Sequence, residues 1–206
     1  MRCLMICTEK LPVPPVRGGA IQTYIAAVAP RLARHHQVAV IGVSDPDLPQ
    51  RETRDGVAYW RVPGGSFPLY LERVLALLND WETRFDVVHM FNRPRMVLPV
   101  QKALPGSRLI LSLHNEMFRP EKIGADEAKA AVGAVESIVT VSDFIGNGVA
   151  ALYSDARPKL RTIYSGVDLT RFLPPWSPEG RRIRQRIRSE HGLGGGPVVL
   201  YVGRLS

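Results

Sequence analysis

Short apolar, β-branched runs alternate with amphipathic helical stretches along nearly the whole chain. Cys3–Cys7, Val38–Val43, Val57–Val62, Asp86–Phe91, Arg108–Leu113, Ser137–Val141 and Leu160–Tyr164 read as strands. Between them, Gly18 to about His35, Leu69–Arg84, Met96–Ala103, Glu127–Val135 and Phe144–Tyr153 read as helices. In the first helix Ile21, Tyr24, Ile25, Val28 and Leu32 recur at spacings of three and four, which gathers them on one face. Val74, Leu77, Leu78 and Trp81 do the same in the second. Pro30 is expected to kink the first helix or to start a short second one. Near-continuous apolar strands belong to parallel sheets buried on both faces, and intervening helices supply the crossovers. The expected class is therefore α/β, a doubly wound parallel sheet with helices on both faces. Val57–Val62 alternates more than the others and is placed nearer an edge.

After Tyr164 the character changes. Leu173-Pro-Pro-Trp-Ser-Pro178 breaks the alternation, an Arg-rich helix follows and stops near Gly192, and Gly194-Gly-Gly196 leads into a last apolar run. That run, Val198–Val202, reads as a buried strand with Gly203-Arg204 at its carboxyl end. The expected organisation is one domain over residues 1–165, a linker with the Arg-rich helix over 166–196, and the first strand of a second domain over 197–206.

Charge follows the same division. Residues 1–150 hold 17 basic and 15 acidic side chains, whereas 151–206 hold 10 and 4. Arg181, Arg182, Arg184, Arg186 and Arg188 make up much of that excess. A basic cluster can meet nucleic acid or an anionic membrane. No aromatic residues are interleaved with it to stack on bases, so a solvated helix face is the plainer reading and no nucleic acid is expected. No apolar run reaches the roughly 18 residues of a membrane span. The opening Met1–Glu9 is too short and too soon charged for a secretory leader, so the expected compartment is the cytoplasm, with peripheral contact at the inner membrane face permitted by the basic tail. Cys3 and Cys7 lie four apart in a strand, a spacing that suits small buried hydrophobes and not zinc or redox chemistry.

In open α/β sheets, ligands bind outside the carboxyl ends of the strands. Five places in this sequence put polar or turn-forming residues after a strand. Gly18-Gly19 opens the first helix after a long loop, where it serves either as a turn or as a phosphate-binding helix N-terminus. His114 follows Leu109–Leu113, within reach of a hydroxyl or sugar, or of a local carbonyl. His89 ends a similar run but is followed by Met90-Phe91, and it reads as a buried, satisfied histidine. Ser142 sits between a strand and a helix as an N-cap, with room for a ligand contact. Ser165-Gly166-Val-Asp168 reads as a turn with a local cap. No dinucleotide fingerprint, nucleophile elbow or His/Cys metal set is present, and no metal site is expected.

Taken in order, these pieces resemble the GT-B glycosyltransferases of family 4, nearest to bacterial polysaccharide and spore-coat members. The matching stretches are Gly18-Gly19 with its helix, His35-His-Gln-Val-Ala-Val, Phe85-Asp-Val-Val-His89 and Leu113-His114. Val139-Thr-Val-Ser142, Tyr164-Ser-Gly-Val-Asp-Leu-Thr-Arg-Phe172 and Val199-Leu-Tyr-Val-Gly-Arg-Leu205 complete the set. The resemblance implies the Rossmann-like, acceptor-side domain of a retaining, hexosyltransferase-type enzyme that uses a nucleotide-sugar donor and a hydroxyl acceptor, with no cofactor beyond that co-substrate. It implies that Gly18 and Gly19 contact donor diphosphate or acceptor, that His114 binds the transferred sugar at the reacting centre, that Ser142 lines the cleft, and that Arg204 pairs with the donor diphosphate. Ser165, Gly166 and Asp168 fall at the hinge between domains, where Ser165 replaces the family's usual Asn. The family's second-domain lysine and Glu-x7-Glu motif do not occur, so the chain by itself is expected to be inactive. A non-catalytic phosphate- or carbohydrate-binding module and a basic nucleic-acid-binding protein are the alternatives.

Overall fold

The computed structural model describes residues 1–202 and divides the chain into two compact units, Met1–Ser165 and Gly166–Ser206. The first unit is built on an eight-stranded sheet. Its strands are β1 (Arg2–Ile6), β2 (Gln37–Val43), β3 (Arg51–Arg54), β4 (Val57–Val62), β5 (Val87–Phe91), β6 (Arg108–Leu113), β7 (Ser137–Thr140) and β8 (Leu160–Thr162). The order is β3-β4-β2-β1-β5-β6-β7-β8, parallel except for β3. Its helices are α1 (Ala20–Ala33), α2 (Phe67–Asn79), α3 (Val97–Ala103), α4 (Ala125–Ala134) and α5 (Asp143–Leu152).

Side-chain alternation along β1 defines two cores. Leu4 and Ile6 pack with Tyr70, Val74 and Leu78 of α2 and with buried residues of α3, α4 and α5. Met5 and Cys7 pack on the opposite face with Ile25 and Ala29 of α1. Right-handed crossovers require this split, because the strand order turns back at β1. The chain leaves β1 toward β2 on one side and returns to β5 on the other. That reversal opens a crevice between the carboxyl ends of β1 and β5, where such sheets hold ligands.

Several expectations need correction. β3 was not anticipated, because Arg51-Glu-Thr-Arg54 has no apolar signal. Its hairpin to β4 turns on Asp55 (φ 52°) and Gly56 (φ 77°), and two consecutive positive φ values are what a two-residue hairpin demands. β3 is thus the edge strand, and β4 lies next to it, nearer an edge as its alternation suggested. α1 runs unbroken through Pro30. The proline lies in the last turn, so only the Ala26 carbonyl loses its helical partner and no new helix starts. α2 ends at Asn79 instead of Arg84, and Trp81 packs from the following loop against Trp60 (4.9 Å between ring centroids) and Phe85 (5.4 Å).

The second unit holds α6 (Pro178–Glu190), capped by Ser177 Oγ, which accepts the Gly180 N–H at 3.0 Å. Val198–Val202 was expected to be a buried strand. It has no regular structure, and Val199 is 97% exposed. A strand needs a neighbouring backbone to bond, and the described residues of this unit contain no other strand. Gly203 and Arg204 lie outside the described residues.

Candidate functional site

The loop after β1 is long and proline-rich, and it is tied down from below. Arg61 of β4, 2% exposed, donates to the Val13 carbonyl through Nε (3.2 Å) and Nη2 (2.9 Å), and to the Pro49 carbonyl through Nη1 (2.5 Å). It also pairs with Glu52 at 2.5 Å. Further along, Arg17 bonds Asp45 twice at 3.0 Å and Asp47 at 2.6 Å. The loop ends at Gly19, which precedes α1 with φ 106°. A Cβ there would overlap Gln22 Oε1 and come within 2.9 Å of Leu11 Cδ1, so glycine is required by both conformation and space. Gln22, buried, donates from Nε2 to the Leu11 carbonyl at 3.2 Å and closes the loop onto the helix. Among the described residues no side chain caps α1. Its first-turn N–H groups therefore have no side-chain cap and carry the positive end of the helix dipole.

The floor of the crevice is aromatic. Phe91, 1% exposed, ends β5. His89 stacks on it with 4.3 Å between ring centroids, and Tyr24 of α1 lies 5.9 Å away. His114 follows β6 directly; its ring stands edge-on to Tyr24 at 5.5 Å and 6.0 Å from Phe91. Burial lowers the His114 pKa from the ordinary histidine value and so favours the neutral ring. His89 is satisfied, as its sequence context suggested: Nε2 and Ser112 Oγ share a hydrogen bond of 2.6 Å.

Two charged groups close the crevice, and sequence reasoning missed both. Glu9, 6% exposed, follows β1, and Arg93 follows β5. Arg93 Nε donates to Glu9 Oε2 at 2.7 Å, and Nη2 donates to Oε1. Burial works to raise the Glu9 pKa, but the Arg93 hydrogen bonds and charge outweigh it and hold the carboxylate below its usual range. Asn92, between Phe91 and Arg93, is buried with φ 51° and accepts the His114 backbone N–H on Oδ1 at 2.7 Å. The available signal was position: each is a polar residue just past the carboxyl end of an apolar strand.

Ser142 lies one strand further along the same edge. It is the N-cap of α5, its Oγ accepting the Ile145 N–H at 3.4 Å. Gly18, Gly19, His114 and Ser142 therefore share the carboxyl edge of one sheet. Ser165 closes the first unit, whereas Gly166 and Asp168 belong to the second. There Asp168 Oδ1 accepts from Thr170 N (2.9 Å) and Thr170 Oγ1 (2.7 Å), a local turn cap. A cavity of about 910 Å³ lies at the opposite, amino-terminal edge, lined by Trp81, Arg84, Phe85 and Arg108 among others, and includes none of the site residues.

Among the described residues, no group of three or more His, Cys, Asp or Glu gathers to hold a metal, and no helix is long and apolar enough to cross a membrane. Four of the five α6 arginines are engaged locally. Arg181 donates to the Trp176 carbonyl at 2.5 Å, Arg182 pairs with Glu179 and Arg186 with Glu190, each at 3.6 Å, and Arg188 donates to the Gly194 and Gly196 carbonyls.

Known proteins resemble this chain in sequence and in fold. The sequence model of Glycosyltransferase Family 4 matches residues 18–171. Spore coat protein SA of Bacillus subtilis (strain 168) is 48% identical over 206 residues, covering 100% of this chain and 53% of the relative. The putative glycosyltransferase YtcC of the same organism is 41% identical over 206 residues, covering 100% and 49%. The chain thus spans about half the length of the curated relatives it matches. Among solved structures, Arabidopsis thaliana UGT89C1 complexed with UDP superposes with a TM-score of 0.55 at 11% identity, over 92% of this chain and 57% of that one, a likeness of fold.

Proposed function

Because the chain belongs to glycosyltransferase family 4, we propose that it forms the acceptor-side half of an enzyme that moves a hexosyl group from a nucleotide-sugar donor to a hydroxyl, with retention. The carrying observation is the crevice edge itself: a half-buried His114 whose ring meets Tyr24 and Phe91, on the same sheet edge as an uncapped helix N-terminus. The partly exposed Tyr24 ring suits the apolar face of a sugar, and a neutral imidazole can exchange hydrogen bonds with its hydroxyls. His114 is therefore assigned to holding the transferred sugar, not to removing a proton. The N–H groups after Gly19 are placed to receive phosphate oxygens. Charge developing on the departing nucleotide is assigned to Arg204, whose guanidinium suits a diphosphate, and no metal ion is called for. Ser142 lines the same edge, and Ser165, Gly166 and Asp168 form the passage to the donor side. The spore-coat relative favours an acceptor in a bacterial surface glycan.

The test is a turnover assay with nucleotide-sugar donors on two proteins: the 206-residue chain, and the same chain joined to the second half of its spore-coat relative. The isolated chain should release no nucleotide. The joined protein should, and His114→Ala in it should lower kcat about a hundredfold. Transfer by the isolated chain, or a joined protein indifferent to His114→Ala, would sink the assignment.

A further inference from the structure

We propose that Asn92 is the positioning residue for His114, and that the Glu9–Arg93 pair holds Asn92 in turn. The inference deepens the reading above and takes its functional meaning from it. In a parallel sheet, each strand's N–H groups need carbonyls from a neighbour. Asn92 N–H donates to the Ser112 carbonyl at 2.8 Å, which carries the β5–β6 ladder one residue past Phe91. The next N–H along β6 that faces β5 is that of His114. No β5 carbonyl reaches it, because the chain turns away at Asn92 with φ 51°. The Asn92 side chain fills the gap, its Oδ1 accepting the His114 N–H at 2.7 Å. Asn92 thus ends its own strand and supplies the missing acceptor to the next.

A second layer fixes the turn. Arg93 Nη1 donates to the Asn92 carbonyl at 2.7 Å. The same guanidinium is clamped by Glu9, and it lies 5.9 Å from the centroid of the Phe67 ring. The series Glu9, Arg93, Asn92, His114 therefore links the carboxyl ends of β1, β5 and β6 across the point where the sheet reverses. A left-handed asparagine and a buried ion pair are each costly for a simple turn. A glycine could make the turn alone. What glycine could not do is hold the His114 backbone while its ring stands over the crevice.

Amide hydrogen exchange and histidine NMR titration on the 206-residue chain test this. In the wild-type protein the His114 amide should be protected to the level of the Leu113 amide. Asn92→Gly keeps the positive φ and removes the acceptor. His114 amide exchange should then rise about tenfold, the worth of one net hydrogen bond, with Leu111 and Leu113 unchanged. The His114 ring titration should move toward the ordinary histidine value. Asn92→Asp, which keeps turn and acceptor, should restore the amide protection; its added negative charge raises the His114 ring titration by itself, so this variant is read on the amide alone. Glu9→Gln should move His114 in the same direction by a smaller factor of roughly three, the effect of loosening a clamp whose members remain. An unprotected His114 amide in the wild type overturns the proposal whether or not any variant folds. So does a His114 amide that exchanges as fast in Asn92→Asp as in Asn92→Gly, or a uniform rise along all of β6. Because the readout is His114 itself, absence of transfer by the joined protein would count against the proposed function and leave this result standing.

Discussion

His89 and His114 flank one ring, Phe91, and this placement sets how each titrates. Burial, with the nearby His114 adding a smaller push, lowers the His89 pKa from 6.5 to about 4. The unfolded chain therefore takes up a proton near 6.5, while the folded chain resists until about 4. Between those values the unfolded state binds more protons, so stability is full above the upper value and is lost on acidification toward the lower. The loss from this residue is no more than about 3 kcal/mol. His89→Gln keeps a partner for Ser112 and carries no charge at any pH. Urea midpoints at pH 7.5 and pH 4.5 should fall clearly in the wild type and much less in the variant; equal falls would assign the acid sensitivity elsewhere. That His89 is satisfied and His114 lies at an edge could be read locally, from whether apolar residues follow each histidine. The partnership of Glu9 with Arg93, 84 residues apart, could not, since no local pattern names a partner across the sheet.

At the scale of elements, the loop from β1 into α1 carries the most constraint per residue. Gly18 and Gly19 both have positive φ, but only Gly19 is crowded, by Gln22 and Leu11. Gly18→Ala should therefore cost only conformational strain, about 1 kcal/mol. Gly19→Ala adds a clash with a buried side chain that also closes the loop, and should cost about 2–4 kcal/mol. Chemical denaturation of the two variants checks the difference, and equal costs would mean that Gln22 yields freely. The strands and most helices were legible because parallel strands need apolar runs and packed helices need one apolar face. β3 escaped that logic: an edge strand with both faces polar leaves its signal only in the Asp55-Gly56 turn. α2 was overextended because Trp81 continues the helical spacing, although its ring packs from a loop.

For the whole molecule, the two cores decide what each part owes to the other. Every buried residue of both hydrophobic clusters lies between Leu4 and Ala156, inside the first unit. The second unit contributes a polar helix and an exposed apolar run, with Val202 86% exposed. That run read as a buried strand because its residue types are those of a parallel-sheet interior. Residue type records the environment a segment suits, and pairing also requires a neighbour. Cooperative unfolding follows the burial of apolar area, so the first unit should carry the transition alone. A protein ending at Ser165 should unfold in one step, with a free energy within about 1 kcal/mol of the full chain's, and its denaturant slope should fall little, because little area buried on folding has been removed. It should also keep the slow amide exchange of Leu4, Val88 and Leu111. A transition that broadens, or a midpoint that drops well beyond that margin, would show that residues 166–206 stabilise the sheet and that the boundary at Ser165 is not an energetic one.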